Sequence, residues 1–412
     1  MRGVRQTLGP LALAAGAVVL AMAPPAAARS FRDSLPGVVR DTGLEGGSAF
    51  NALGDALADT AARSLPVTSA SAGFTYRYNA QAEVFERTSD TLGPIFLERP
   101  DTLGRNKFNI NVSYQYVDLD EFDGDSTDSL QNKNPLVARV TDANGTLTGF
   151  TANRLKYDFS LKNHITAISA TYGVLDDLDV NLLIPVIVTT FDVTANRQVV
   201  GQADTDGAFG PLDESAPTLK SSDNGTHTGV GDILLRAKYQ LARLGWLRSA
   251  AGLQFRLPSG DQANFQGTGD FEVSPELYLS TLLAGRVEPH ANFGLDLRTD
   301  DVSRSLARYG LGVDVDVTKR IGIALAFLGR SEFNGVADNK DTSFLHLVNG
   351  RLEQQQLLGL DFGRKDYFDF SFGGRAVVWR QIMLFVNGIY ALNDQGLRNS
   401  TIIPTIGLEG TF

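Results

Sequence analysis

The sequence predicts an all-β protein: a transmembrane antiparallel β-barrel of about 12 strands (alternatives 10 or 14), preceded by a short, partly helical N-terminal segment. Three observations predict this fold class. Apolar and polar residues alternate along much of residues 101–412, short and long connections alternate between the segments, and the chain begins with an export signal. Alternation with a period of two is typical of strands with one apolar and one polar face. We therefore expect a signal peptide (1–28), an N-terminal segment (29–100) and an outer-membrane β-barrel (101–412).

The composition excludes several classes of protein. The 412 residues include 37 Lys+Arg, 47 Asp+Glu and no Cys, so the formal net charge is −10. The absence of Cys excludes disulfides, thiolate metal sites and Cys nucleophiles. The acidic balance argues against a nucleic-acid-binding protein, which needs a basic face. A hydrophobic fraction of 43% is too high for a disordered chain.

Residues 1–28 have the three parts of a secretory signal peptide. Arg2 and Arg5 give a positive start, residues 11–22 form an apolar core, and residues 26–28 supply small side chains for cleavage. The apolar core is shorter than the ~20 residues that a transmembrane helix needs. No later run is long and apolar enough to span a bilayer as a helix. This leaves a secreted protein, a periplasmic protein or an outer-membrane β-barrel.

Each alternating segment is long enough for the ~9–11 residues of a tilted membrane strand. In one of them, Leu311, Val313 and Val315 alternate with Asp314 and Asp316. An even number of strands is what a closed antiparallel barrel of the bacterial type requires. The predicted strands are 107–118, 160–173, 178–191, 230–242, 247–258, 271–285, 286–299, 306–318, 319–331, 366–378, 381–393 and 401–412.

The connections sort into two kinds. Those after even-numbered strands are short, whereas those after odd-numbered strands tend to be long and include 119–159, 192–229 and 332–365. Outer-membrane barrels have short periplasmic turns and longer extracellular loops, so we expect both termini in the periplasm. Trp246 and Trp379 both lie at short turns, as in an aromatic girdle at a membrane interface.

The polar faces of the predicted strands carry many charges of both signs. In a membrane barrel these faces point into the lumen, where such groups line a wet passage or pair with one another. A mixed-charge lumen argues against a strongly ion-selective pore, because rings of one sign confer that selectivity. The alternative is a salt-bridged interior that only fills the barrel. The lumen-lining candidates are Asp232, Arg236, Lys238, Arg256, Glu272, Glu276, Glu288, His290, Asp296, Arg298, Asp314, Asp316 and Arg375, with Arg330, Asp369 and Glu409 on the same faces.

Residues 29–100 differ from the rest. Ser48 is a candidate N-cap for a helix that ends near Ser64, with Phe50, Leu53 and Leu57 on one face. Residues 73–87 are expected to be extended. Either this segment enters the barrel and occludes it from the periplasmic side, or it is a periplasmic leader that packs on the rim. The sequence leaves both possibilities open.

No motif indicates catalysis. The four histidines, His164, His227, His290 and His346, have no His partner at metal-binding spacing and no suitable Ser nearby. The aspartates between residues 118 and 128 miss the register of a calcium loop. We therefore expect no enzyme activity, no cofactor and no metal site.

Several strand ends resemble a known family. The segments are GVGDILLRAKYQL (229–241), AAGLQFRLPSGD (250–261), GTGDFEVSPELYLS (267–280) and PHANFGLDLR (289–298). Together they resemble outer-membrane proteins of the "MetA-pathway of phenol degradation" family, and the resemblance runs over roughly 165–412. It implies an outer-membrane channel with a role in uptake of hydrophobic or aromatic compounds. Proline at a strand exit, as at Pro258, has a structural reason because it cannot donate to the ladder.

The sequence therefore predicts an outer-membrane channel for diffusion of small hydrophobic or aromatic solutes. The alternative is a structural or receptor-like barrel with a filled lumen, whose acidic extracellular loops bind ligands. The expected partners are outer-membrane lipids, the small-molecule solute and the barrel-assembly machinery, and no nucleic acid is expected. The terminal aromatic residue, Phe412, ends the last predicted strand and resembles the signal that this machinery reads.

Overall fold

The computed structural model describes residues 29–44, 47–64, 76–79, 84–87, 92, 95–241, 246–335, 342–379 and 381–412. The predicted signal peptide lies outside the described residues. Twelve antiparallel strands form a closed ring, which confirms the predicted fold class. A closed ring leaves no strand edge unpaired, as a strand that crosses lipid requires.

The ring strands follow the predicted order along the chain. Strand β4 has two parts, which are separated at residues 231–232. The strands are β1 (Phe108–Leu119), β2 (Leu147–Gly173), β3 (Leu178–Ala203), β4a (Thr218–Val230) with β4b (Ile233–Gln240), β5 (Leu247–Leu257), β6 (Glu272–Thr281), β7 (Val287–Arg298), β8 (Leu306–Thr318), β9 (Ile321–Glu332), β10 (Asp366–Trp379), β11 (Ile382–Ala391) and β12 (Ile403–Thr411).

The ring closes between its first and last strands. β12 pairs with β1, and beyond the ladder the backbone N–H of Phe108 donates to the carbonyl of Phe412 at 2.9 Å. The N–H of Phe412 donates back at 2.7 Å. The last residue of the chain is thus part of the seam. We call the end of the ring where β1 begins and β12 ends the short-turn end, and the opposite end the long-loop end.

Two strands are much longer than predicted. β2 has 27 residues and β3 has 26, so large parts of the predicted connections 119–159 and 192–229 are strand instead of loop. β3 pairs with β4a over 13 residues, which extends the wall further at the long-loop end. Short elements also lie at this end: strands Glu121–Phe122, Asp125–Ser126, Leu130–Gln131, Leu136–Thr141, Ser343–Val348, Arg351–Gln356 and Leu397–Arg398, and 3-10 turns Thr127–Ser129, Gln262–Asn264, Val302–Arg304 and Leu357–Gly359.

Near the short-turn end, β2 and β3 expose apolar side chains and bury polar ones. Leu182 is 40% exposed on the outside, whereas Asp179 and Asn181 point inward and are buried. This is the pattern of a strand with lipid outside and a polar lumen inside. The apolar band ends near His164, whose Nδ1 lies 2.7 Å from the hydroxyl of Tyr114 on β1. About ten residues of β2 lie between this pair and the short-turn end, the length that a membrane strand needs.

Beyond that pair the pattern inverts. Phe191 and Val193 now point inward and are buried, whereas Asp192 and Thr194 point outward. In β2, inward Tyr157 and Phe159 are buried in the same way. Polar residues outside and apolar residues inside are typical of a sheet in water. At about 3.3 Å per residue, residues 147–163 add roughly 55 Å of strand beyond the apolar band. We call this part of β2, β3 and β4a the upper wall.

Two helices lie inside the upper wall and pack on its inner face. They are α1 (Phe31–Asp41) and α2 (Gly47–Ser64). The ring of Phe31 stacks on Phe191 with centroids 5.0 Å apart, and Leu35 is buried in the same apolar core. Neither helix, within the described residues, is long and apolar enough to cross a membrane. A small hairpin, Tyr76–Asn79 with Val84–Arg87, follows in the segment that was expected to be extended.

The two helices pack closely because of two residues that ordinarily disfavour helices. Pro36 lies inside α1 and has no N–H, so the carbonyl of Arg32 lacks its usual donor within the helix. Gly54 of α2 lies against this carbonyl, and a Cβ at Gly54 would come within 2.5 Å of the Arg32 oxygen. Glycine at this position therefore permits the approach of α2 to α1.

Candidate functional site: a strap and a chamber inside the barrel

The predicted lumen residues lie on inward positions of the ring strands, apart from Asp232, which lies in the interruption of β4. Most are buried, with relative exposures of 9% or less, although each carries a charge or a titratable ring. Buried charges are found in proteins when they are paired or hydrogen-bonded. The structure brings these residues together with one another and with the N-terminal segment. Their role in lining a wet passage stays a prediction.

A short stretch of the N-terminal segment crosses the interior near the short-turn end. We call residues 95–103 the strap. Just before it, the N–H of Leu92 donates to Asp316 Oδ1 at 3.1 Å, and Arg375 Nη1 donates to the carbonyl of Leu92 at 3.1 Å. Asp316 and Arg375 thus hold the chain against β8 and β10.

The other end of the strap is bound to the opposite side of the ring. Lys238 Nζ donates to the carbonyl of Arg99 at 3.2 Å, and Arg248 forms an ion pair with Asp101 at 2.5 Å. The N–H of Leu103 donates to Asp179 at 2.9 Å. Three of the predicted lumen residues, Asp316, Arg375 and Lys238, therefore anchor the strap. Sequence reasoning missed Asp179 and Arg248.

The middle of the strap is seated in a notch made by two glycines. Leu97 is buried against Gly310 and Gly312 on β8, where a Cβ would lie 2.5 Å and 2.7 Å from its methyl groups. Both glycines are at inward positions. The absence of side chains there makes room for Leu97.

Replacing Gly310 with Val is expected to displace the strap. The added methyl groups overfill the notch, and overpacking of this kind costs about 1–3 kcal/mol. We expect a lower temperature of conversion from the folded to the unfolded band on gels and faster proteolysis near residues 95–103. Adding Leu97→Ala to the same variant should restore both properties, because it removes the clashing methyl groups.

The matched control for Gly310→Val is Gly374→Ala on β10. Its nearest neighbour, the carbonyl oxygen of Gly322, lies 3.4 Å from the position of the new Cβ, so the change should have little effect. A Gly310→Val protein with the stability and the cleavage pattern of the unaltered chain would contradict the notch.

Beyond the strap the interior contains a cavity of about 180 Å³, which we call the chamber. One side, formed by β4b to β8, is charged. Arg308 pairs with Glu276 and with Asp296, the latter at 2.9 Å. Arg256 pairs with Glu272 at 2.8 Å. These oppositely charged groups compensate one another within the wall.

The side of the chamber formed by β9 to β12 and β1 is mixed. It is lined by Leu119 of β1, Leu328 of β9, Ile389 of β11 and Ile403 of β12 together with Arg330, Asp369, Arg398 and Asn399. In the ring order β11, β12 and β1 lie opposite β5, β6 and β7, whereas β9 is the neighbour of β8. The strap closes the chamber on one side with Phe96, Leu97 and Glu98. The chamber therefore has ion pairs on both sides, including Arg398 with Asp369 at 2.8 Å, and its aliphatic side chains lie among them.

Helix α2 is joined to the long-loop end by a buried carboxylate. Asp59 lies 3.0 Å from Arg298 and 2.5 Å from Arg304. Arg298 also pairs with Asp270 and, at 3.5 Å, with Asp300. Arg298 was a predicted lumen residue, but its partner Asp59 was not recognised. The pairing joins residues 239 positions apart, and no sequence pattern reports such a contact.

Helix α1 has its own polar contacts with the upper wall. The hydroxyl of Tyr157 donates to the carbonyl of Leu35 at 3.1 Å, and Arg197 Nη1 donates to the carbonyl of Thr42 at 2.8 Å. At the C-terminal end of the helix, the hydrogen bond from Arg29 lowers the pKa of the Asp41 carboxyl below its usual value. The helix is thus held by apolar packing together with specific hydrogen bonds.

The remaining predicted residues pair near the short-turn end. His290 Nε2 lies 2.7 Å from Asp314 Oδ2, and both side chains are buried. Glu288 accepts hydrogen bonds from Arg248 at 2.5 Å and from Ser280 at 3.0 Å. Arg236 Nε donates to the side-chain oxygen Oε1 of Gln254 at 2.8 Å.

Residues from three of the four segments that carry the family resemblance meet at one point. Asp232, where β4 is interrupted, accepts hydrogen bonds from the N–H groups of Gly260 at 3.1 Å and of Thr268 at 2.8 Å. A Cβ at Gly267 would lie 2.7 Å from the Cα of Gly260, so both positions require glycine. Asp232 therefore fixes the connection between β5 and β6.

Comparison with solved structures gives several barrels of similar fold. An outer membrane channel from Pseudomonas putida F1 matches with 12% identity and a TM-score of 0.44, over 76% of this chain and 97% of that one. The P. putida toluene transporter TodX matches with 9% identity and a TM-score of 0.32, over 74% and 88%. A Pseudomonas aeruginosa FadL homologue matches with 9% identity and a TM-score of 0.33, over 75% and 90%.

The sequence comparisons give a family. No curated protein matches the chain significantly. The model of the family described as "Putative MetA-pathway of phenol degradation" matches residues 140–374, which is more than half of the chain. The matched region includes Asp232, Gly260 and Thr268, the residues that join the connection between β5 and β6 to β4. The chain belongs to this family.

Proposed function

We propose that the protein is an outer-membrane channel for diffusion of small hydrophobic or aromatic molecules. The observation that carries the proposal is a chamber of about 180 Å³ inside a closed barrel with an apolar outer band. Membership of a family associated by its description with phenol degradation supports the choice of solute. The proposed activity needs no cofactor and no catalytic step.

The short-turn end is placed in the periplasm in this proposal, and the upper wall faces the outside of the cell. Short turns on the periplasmic side are the rule in bacterial barrels. Trp246 and Trp379, which are 75% and 61% exposed, lie at the short-turn end and fit the periplasmic interface between the outer membrane and water. Phe412, in the seam of the ring, is the candidate contact for the assembly machinery.

The N-terminal segment is proposed to keep the resting channel closed. Its helices lie inside the upper wall, and its strap crosses the interior near the short-turn end. The helices would then occlude the interior at the long-loop end, and the strap would narrow it near the short-turn end. The sequence left open either occlusion from the periplasmic side or a leader packed on the rim. Passage of a solute would require movement of the helices, whereas the strap would narrow the interior without closing it.

The same contacts favour a second candidate function, a receptor-like barrel with a filled interior. A permanently closed barrel would contain contacts such as the ion pair of Asp59 with Arg298 and the hydrogen bonds that anchor the strap. Buried ion pairs can specify one conformation without adding stability. In this case the polar outer face of the upper wall, and not the chamber, would bind the ligand.

Two measurements separate the candidates. A strain that lacks the protein should take up aromatic solutes more slowly than its parent, and purified protein in liposomes should let such solutes pass. Uptake at the parental rate, together with no passage in liposomes, would rule out the channel. Ligand binding that depends on the long loops, in the absence of any pore, would favour the receptor.

A further inference from the structure

We propose that the connection between β5 and β6 is a latch that holds helix α1 against the upper wall and that is released from the side of the chamber. We call residues 261–268 the latch. The inference rests on the proposed channel, in which α1 and α2 keep the interior closed, and it names the element that controls α1. One short stretch of chain contacts the helix, the upper wall and the chamber, and these contacts carry the inference.

One part of the latch contacts the start of α1. The backbone N–H of Phe31 donates to Asn264 Oδ1 at 3.3 Å. The ring of Phe265 has its centroid 6.2 Å from that of Phe31 and 5.8 Å from that of Phe191 on the upper wall. Phe265 is buried in the same apolar core as Leu35. The first turn of α1 is therefore fixed by two consecutive side chains of the latch.

The end of the latch lines the chamber. Thr268 is one of the lining residues, and both its N–H and its hydroxyl donate to Asp232 Oδ2 at 2.8 Å. Asp232 Oδ1 accepts from the N–H of Gly260, just before the latch, at 3.1 Å. Hydrogen bonds to a carboxylate are stronger than those between neutral groups. One carboxylate thus closes the base of the loop by binding both of its ends.

Between these two parts, Gln266 joins the latch to the base of the upper wall. Its Nε2 donates to the carbonyls of Ile187 on β3 at 3.2 Å and of His227 on β4a at 3.0 Å. A Cβ at Gly260 or at Gly231 would lie 2.3 Å or 3.0 Å from the backbone carbonyl oxygen of Gln266. Because the space around Gln266 is filled, we expect it to move only when the base of the loop opens.

The backbone of the latch is strained at a residue that contacts α1. Phe265 has φ 60° and ψ 28°, in the left-handed region that bulky residues rarely adopt. Such a conformation persists only when neighbouring contacts hold it, and it is found at switch regions. Opening of the base at Asp232 would let Phe265 return to an ordinary conformation and withdraw its ring from Phe31. A solute that displaces Thr268 from Asp232 would therefore loosen α1.

The test is hydrogen exchange in α1, residues 31–41, of the purified full-length protein in detergent. Thr268→Val keeps the shape of the side chain but removes the hydroxyl that donates to Asp232. We expect exchange in α1 to become about tenfold faster, which corresponds to about 1.4 kcal/mol and is within the range for loss of a hydrogen bond to a charged group. Thr268→Ser keeps the hydroxyl and should exchange like the unaltered chain.

The matched control is a chamber variant away from the latch. Leu328 of β9 lines the same chamber, so Leu328→Ala alters the chamber without altering the latch and should leave exchange in α1 unchanged. Equal acceleration in Leu328→Ala and Thr268→Val would show a general loosening of the barrel and would overturn the latch.

A double variant tests whether the two ends of the latch act as one element. Phe265→Ala removes the ring that contacts Phe31 and should itself speed exchange in α1. Adding Thr268→Val should then have little further effect, because the connection to the helix is already lost. Independent contacts have additive effects, so a further acceleration of about tenfold in the double variant would contradict the latch. If Phe265→Ala does not fold, as judged by heat-modifiable migration on gels, Asn264→Ala takes its place.

Failure of the latch is distinguishable from failure of the channel. Exchange in α1 that stays at the rate of the unaltered chain in Thr268→Val would overturn the latch, whatever bilayer recordings show. Faster exchange in Thr268→Val but not in Leu328→Ala would support the latch even if no variant conducted, and that absence of conductance would count against the channel alone.

Discussion

Deletion of residues 29–90, with the signal peptide retained, is expected to raise the conductance of the channel several-fold. The deletion removes α1 and α2, which fill the upper wall through Phe31, Leu35 and the other residues of its apolar core. It leaves the strap and its anchors in place. A ring of 12 strands lies between small barrels that side chains fill and porins of about 16 strands that hold an aqueous channel. Its interior should therefore conduct once the helices are absent. Single-channel recording in planar bilayers measures the change.

The control for the deletion is the integrity of the ring. Heat-modifiable migration on gels and a far-UV spectrum rich in β-structure should be the same for both proteins, because the ring strands and the β1–β12 seam do not include residues 29–90. Equal conductance of full-length and shortened protein would show that the helices do not obstruct the interior.

Replacing Asp59 with Ala is expected to destabilise the contact between α2 and the ring, which is the second large effect. The Asp59 carboxylate lies between the guanidinium groups of Arg298 and Arg304, whose side chains are 1% and 11% exposed. Removing one partner of a buried ion pair leaves uncompensated charge, and the expected loss of stability is about 3 kcal/mol. Because Arg298 keeps Asp270 and Asp300, the ring should survive while α2 detaches. Hydrogen exchange in residues 47–64 should become faster, and brief open events should appear in bilayer recordings.

A matched control lies one turn away on the same helix. Asp55 pairs with Arg32 at 3.5 Å, but both side chains are more than one third exposed. An exposed pair contributes about 0–1 kcal/mol, so Asp55→Ala should change neither hydrogen exchange nor conductance. If Asp59→Ala behaved like Asp55→Ala, the buried carboxylate would have no part in holding the helix.

Much of the ring could be predicted from the sequence because lipid and lumen impose a regular pattern on each strand. Strands such as β8, where Val313 and Val315 alternate with Asp314 and Asp316, lie where the alternation predicts. The upper wall was assigned to loops because the prediction followed apolar residues on the outer face. Beyond His164 the apolar residues, such as Tyr157 and Phe159, belong to the inner face instead.

The N-terminal segment was harder to predict for local reasons. Helix α1 contains Pro36 and Gly37, which ordinarily mark a turn, and its signals, an N-cap at Ser30 and an apolar face, are short. Gly54 lies inside α2, where glycine ordinarily disfavours a helix, although its close approach to the Arg32 carbonyl requires glycine. The strap anchors and the Asp59 contacts depend on positions far apart in the chain, so alternation within a strand carries no information about them.

The position of the two helices constrains the order of assembly. They precede β1 in the chain, yet they lie inside the ring at the end farthest from the start of β1. The ring is sealed between β1 and β12, its first and last strands in chain order, beside which Phe108 and Phe412 exchange backbone hydrogen bonds. The helices must either be enclosed before this seam forms or be threaded through a finished ring. If the helices are enclosed first, their docking and the closure of the ring are coupled. The apolar inner face of the upper wall is exposed to water until α1 and α2 cover it.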